Sequence, residues 1–169
     1  MQVPQSLQTI AEISIAFAGF SGLIVALRRN TGPLTEVEKY RLKVLLALAF
    51  GAMFLSFLPE LLQDLEFGVQ KIWLYASSAL SLYSVVFLIW WISASLRIMR
   101  DVPEIFNWFA FSRMAAGHMA IVSLQIPVIC SVLVEKGAAV YMIGLIWYLM
   151  HAAQQFARML FVQPRISER

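Results

Sequence analysis

Residues 35–67 read TEVEKYRLKVLLALAFGAMFLSFLPELLQDLEF, and the polarity of this stretch decides the fold. Thr35, with Glu38 three residues on, forms a capping box, so a helix starts there. Its first turns carry Glu36, Glu38, Lys39, Arg41 and Lys43, a solvated end with Glu36/Lys39 and Glu38/Arg41 paired at i,i+3. From Val44 to Leu62 the chain is almost wholly apolar. At ~1.5 Å of rise per residue such a run crosses ~30 Å of hydrocarbon. Pro59 near its far end is expected to bend it. Glu60, Asp64 and Glu66 follow. One end of the segment is basic and the other acidic.

That polarity repeats along the whole chain. Apolar segments fall at about 7–27, 44–62, 72–96, 110–134 and 138–161. Arg28, Arg29, Lys39, Arg41, Lys43, Arg97, Arg100, Arg113, Arg158, Arg165 and Arg169 share one side, eleven of the thirteen basic residues. Only Lys71 and Lys136 lie on the other, among Glu60, Asp64, Glu66 and Glu135. Cytoplasmic loops retain Lys and Arg. The expectation is an all-α integral membrane protein, a bundle of five transmembrane helices with its N-terminus outside and C-terminus inside. The setting is a multi-pass place in a plasma (inner) membrane, most simply bacterial. Trp73, Trp90, Trp91 and Trp108 fall near segment ends, as an aromatic belt does.

Composition agrees. The chain is 60% hydrophobic and 14% charged over 169 residues. Five spans of ~20 residues leave no separate soluble domain. The pI of 9.2 does not indicate nucleic acid, because the basic residues sit at helix ends. There Arg28, Arg29, Lys39, Arg41 and Lys43 face anionic lipid headgroups of the cytoplasmic leaflet. No basic stretch precedes the first apolar run, so no cleaved signal peptide is expected. Cys130, the one cysteine, makes no intramolecular disulfide and reads as a small buried apolar residue.

Within the apolar segments, three features stand out. Segment one carries Ser14, Ala18, Gly22 and Ala26 at i,i+4 spacing, a stripe that lets two helix backbones approach closely. Ala47 and Gly51 offer a partner stripe on the second segment. Glu12 is the one acid well inside an apolar run, a candidate ion or proton group near an outer opening. The densest polar set lies on the last two segments: Arg113, His118 and Gln125 on one, His151, Gln154, Gln155 and Arg158 on the other. A hairpin folded at Lys136 puts His118 level with Gln154 and Gln155, and His151 about a turn nearer the membrane centre.

These side chains suit an interhelical hydrogen-bond network, a wet vestibule, or a b-type haem held by His118 and His151. Gly19-Phe20-Ser21-Gly22 resembles, over four residues, the nucleophile motif of rhomboid intramembrane proteases. The serine comes early in the chain and a further polar motif is missing, so these residues read first as packing. No phosphate-binding Gly-rich loop, H-E-x-x-H or acidic metal cluster occurs in the sequence, and no catalytic or metal-ligating residue is assigned. The leading expectation is an oligomeric channel or transport protein, with Glu12, His118, Gln125, His151, Gln154 and Gln155 as polar lining. A non-catalytic accessory or scaffold subunit of a larger membrane complex is the alternative, and a haem protein or intramembrane enzyme comes third. Expected partners are anionic lipid and a second copy or another membrane protein.

Overall fold

The computed structural model describes residues 4–28, 33–101, 103 and 107–161. Arg29, Arg165, Arg169 and the side chain of Arg28 lie outside the described residues. Among those described, the chain is all-helical: α1 (Ser6–Arg28), α2 (Glu36–Asp64), α3 (Val69–Asp101), α4 (Trp108–Ile129), a one-turn 3-10 helix (Val134–Lys136) and α5 (Gly137–Phe161).

The helix ends follow from local chemistry. At the start of α2, Glu38 N–H donates to Thr35 Oγ1 at 3.3 Å and Thr35 N–H to Glu38 Oε2 at 3.0 Å, the reciprocal box. Lys39 Nζ sits 2.7 Å from Glu36 Oε1 on the outer face of the same turn. At the far end of α2, Glu66 adopts φ 59°. Its N–H bonds to Gln63 O at 2.9 Å, and Phe67 N–H to Leu62 O at 3.1 Å. This is a Schellman motif, and Phe67 packs beside the core cluster that contains Leu62. The end of α4 repeats it. Ser131 has φ 62°, its N–H reaches Val128 O at 3.0 Å, and Val132 N–H reaches Pro127 O at 2.8 Å. Two non-glycine residues therefore carry the left-handed turns that stop the helices.

The second motif moves a boundary. The fourth apolar run was expected to stay helical to residue 134, yet α4 stops at Ile129. Cys130 caps it and is exposed, not buried as its apolar neighbours suggested.

Consecutive helices run antiparallel, and α5 packs against each of the other four. Hydrogen bonds mark the two ends of the bundle. At the acidic end Gln70 Nε2 donates to Ser131 Oγ at 3.1 Å. At the basic end Tyr40 and Ser95 hydroxyls lie 2.6 Å apart, and Arg41 Nη1 donates to Arg158 O at 3.0 Å. The last bond ties α2 to α5. Pro59 leaves a carbonyl in need of a donor inside α2. Lacking an N–H, it cannot serve the carbonyl of Leu55, and Tyr141 Oη does so from α5 at 2.7 Å.

The exterior is more apolar than that of a water-soluble bundle, and the mainly apolar core holds several polar side chains. Phe54 (67%), Leu82 (67%) and Phe109 (75%) are exposed, while Ser77, Ser84, His118 and Gln125 are completely buried. An apolar exterior over a partly polar core is what hydrocarbon solvent selects. Three helices are long and apolar enough to cross a membrane: Ser6–Ala26, Glu36–Asp64 and Val69–Asp101.

Close packing falls elsewhere than the small-residue stripe indicated. Ser14 is buried and Ala18 half-buried, but Gly22 and Ala26 are exposed, and a Cβ at Gly22 would meet nothing within 4 Å. Four-residue steps advance about 40° round a helix each time, so a stripe of three steps drifts by ~120°. The face that α1 buries runs instead through Leu7, Ile10, Ala11, Ser14 and Ser21. That repeat of three and four residues keeps facing its neighbours. The tight glycines are Gly51, against the Tyr83 ring, Gly137, against Trp73, Gly144, against Leu80, and Gly117, against Trp147.

Candidate functional site

Gly117 and Gly144 let α4 and α5 approach closely, and between these helices lies a buried polar chain. His118 Nε2 and His151 Nδ1 are 3.0 Å apart, and Gln155 Nε2 is 3.1 Å from His151 Nε2. His118 is 0% exposed, His151 1% and Gln155 3%. The geometry has a local cause on each helix. His151 and Gln155 stand one turn apart on one face of α5, so the amide reaches back to the ring. His118 follows Gly117, where a Cβ would lie 1.9 Å from the Trp147 indole. Only glycine admits that indole against α4.

Aromatic rings wall the pair. Phe87 lies 5.0 Å from His118 and 6.3 Å from His151, centroid to centroid. Trp91 is 6.5 and 5.8 Å from the same rings. Trp147 and Tyr148 stand 6.1 and 5.7 Å from His118. The Tyr148 hydroxyl in turn meets Ser84 Oγ at 2.5 Å. Phe87, Trp91 and Ser84 share a face of α3 at i,i+3 and i,i+7, so a signal existed in the sequence. Apolar and aromatic residues at that spacing are ordinary core, which hid it.

Other polar atoms continue toward the acidic end. Gln125, two turns from His118 on α4, donates through Nε2 to Val140 O at 3.1 Å. Its Oε1 is buried without a partner, as are His118 Nδ1, Ser77 Oγ and Ser81 Oγ. Toward the basic end come Gln155, then the Tyr40–Ser95 and Arg41–Arg158 contacts. Buried polar side chains thus occur at several levels of the bundle's interior.

The hairpin register differs from expectation. His118 was expected beside Gln154 or Gln155, but its partner is His151, and Gln155 meets His151. Because α4 stops early, the seven-residue connection 130–136 centres the hairpin near residue 133 instead of Lys136. The facing position on α5 therefore moves about six residues, to Tyr148, and His151 stands within one turn of it. Gln154 is half-buried and sits about 100° round the helix from Gln155. Glu12 is exposed near the start of α1, its Oε1 accepting from Gln8 Nε2 at 3.0 Å, away from the buried chain.

Two chemistries do not fit. Opposed imidazoles on one iron hold their nitrogens ~4 Å apart, two metal–nitrogen bonds of ~2 Å, with a porphyrin plane between. His118 and His151 are hydrogen-bonded at 3.0 Å inside an aromatic box, so they do not form a bis-histidine haem site. Ser21 Oγ donates to Ala18 O at 2.7 Å, while the His151 ring nitrogens meet His118 and Gln155, so among the described residues Ser21 and His151 form no dyad.

No protein-family model matches the chain, and no curated protein or solved structure matches it either.

Proposed function

We propose that this chain is a membrane transport protein whose path runs through the polar core of a single subunit. The observation that carries the reading is the fully buried His118–His151–Gln155 chain. Ionisable groups inside a membrane are costly and mark ion or proton pathways. The proposed setting is a plasma membrane, with all five helices crossing, the N-terminus outside and the basic end at the cytoplasm. Anionic lipid gathers around the exposed Lys39 and Lys43 there, whereas Arg41, expected with them, is buried against Arg158 O. Because the polar side chains lie inside the subunit, a ring of copies around a shared axis is not needed to form the path. Oligomerisation then serves packing, through the apolar exterior of α1.

The test is reconstitution of purified protein in liposomes, followed by flux of protons, alkali cations, halides and small neutral solutes. Passage of at least one class, lost in His118→Phe and His151→Phe, is the expected result. Liposomes tight to every species would end the transport reading. The aromatic wall favours a second reading in that event. Phe87, Trp91, Trp147 and Tyr148 make the pair a rigid interhelical clamp, as suits a non-catalytic scaffold or accessory subunit. Recovery of the protein in a defined complex with other membrane proteins would support it.

A further inference from the structure

We propose that the basic end of the bundle binds a phosphate group, in a cluster of donors that α2, α3, α4 and α5 bring together; this does not rest on the transport reading. Tyr40 stands at its centre, its hydroxyl 2.6 Å from Ser95 Oγ of α3. The next residue, Arg41, is 7% exposed and sends Nη1 to Arg158 O of α5 at 3.0 Å. Arg158 is half-buried, and its charge acts on Tyr40 and Arg41 of α2 and on Arg113 of α4. Arg158 thus lies within electrostatic reach of two other guanidiniums.

Like charges gathered at partly buried helix ends cost free energy unless an anion joins them. One acid faces Arg41, namely Glu38, and its Oε2 already accepts Thr35 N–H in the capping box. Among the described residues, the Arg113 and Arg158 side chains form neither an ion pair nor a hydrogen bond. A second, uncharged donor is also left over. Trp91 of α3 is 3% exposed, and its indole N–H stands near the Tyr40 hydroxyl yet completes no hydrogen bond. An indole nitrogen can only donate. The Tyr40–Ser95 pair has two hydroxyl hydrogens and one bond between them, so one hydrogen remains to be given. What this place needs is an acceptor with negative charge.

Phosphate meets that need better than a carboxylate or a halide. Guanidinium forks match paired phosphate oxygens, and the tetrahedral group offers oxygens to donors that arrive from several helices. A carboxylate has two oxygens in one plane, and a halide is a single centre. The headgroup of an anionic lipid and free inorganic phosphate share this chemistry. The cluster can be reached from the exterior, because Arg113 is exposed. Phe109, one turn away on the same face of α4, is 75% exposed and gives an acyl chain a surface to lie on.

The test uses the full chain in micelles of an uncharged detergent at fixed salt. It is titrated with short-chain phosphatidic acid, with inorganic phosphate, and with the same diacylglycerol lacking phosphate. Calorimetry reads the affinity. The nitrogen–proton NMR spectrum of the tryptophan indoles reads the site, with Trp91 assigned from its loss in Trp91→Phe. A phosphate-bearing ligand should bind saturably and move the Trp91 signal, and the diacylglycerol should do neither. Arg158→Gln and Arg113→Gln, with helix content unchanged, should each weaken binding about tenfold, as loss of a charged hydrogen bond does. Lys39→Gln with Lys43→Gln should change it about twofold or less, since exposed charges are screened. Should Arg158→Gln fail to fold, Arg113→Gln on the exposed rim still decides. Tighter binding of phosphatidic acid than of inorganic phosphate would support the site with a lipid headgroup in it, and equal binding would support it with the free anion. No binding of either, or an unmoved Trp91 signal, would overturn the proposal. So would equal losses in the lysine and arginine variants, which would reduce the site to diffuse surface charge.

Discussion

Replacing Tyr141 with Phe tests whether α5 compensates for the proline in α2. Tyr141 is 0% exposed, and its hydroxyl donates to Leu55 O at 2.7 Å. That carbonyl has lost its helical donor because residue 59 is proline. Truncation leaves a carbonyl unmatched in an apolar core, which costs about 1–3 kcal/mol in water-soluble proteins. Hydrogen bonds between membrane helices average about 0.6 and reach about 1.7 kcal/mol, because the unfolded chain in the membrane also finds partners. A carbonyl without its helical donor belongs at the upper end, so about 1–1.5 kcal/mol is expected, roughly a five- to tenfold shift in the unfolding equilibrium. Pro59→Ala restores an N–H that can reach Leu55 O along α2. In that background Tyr141→Phe should cost about half as much or less, giving a coupling of at least ~0.5 kcal/mol. The assay is reversible unfolding in mixed micelles for the wild type, both single variants and the double variant. An equal cost in both backgrounds would refute the link between Pro59 and Tyr141.

Three further outcomes are expected. Gly117→Ala places a Cβ 1.9 Å from the Trp147 indole, so it should force α4 from α5 and destabilise by about 1–3 kcal/mol, as overpacking does; unfolding titration and the His151 NMR spectrum read it. Gly22→Leu enters open space and should change monomer stability by less than about 0.5 kcal/mol; a change in oligomeric mass by native mass spectrometry would show a partner helix on that face. Cys130 is exposed at the acidic end, so a membrane-impermeant maleimide should label it in intact cells, with Cys130→Ser as blank; labelling only after the membrane is opened would reverse the proposed orientation.

Much of the architecture was written locally. The box from Thr35 to Glu38 starts α2 because both of its bonds form within one turn. The basic and acidic ends could be assigned because charge marks where each apolar run meets water. His151 and Gln155 share a face because they are four residues apart on one helix. Relations between helices were not local. A stripe of small residues names a face, but the angle at which α1 meets its neighbours decides which part is buried, and the i,i+4 row from Ser14 to Ala26 winds out of contact. The partner of His118 depended on where the hairpin turns. That was decided by a left-handed Ser131 and two hydrogen bonds that end α4 five residues early. The same holds for Tyr141, whose polar role appears only when α5 lies against the carbonyl that Pro59 leaves open. Side-chain periodicity fixes direction within a helix, while depth and rotation between helices are settled when the cores of both must close at once.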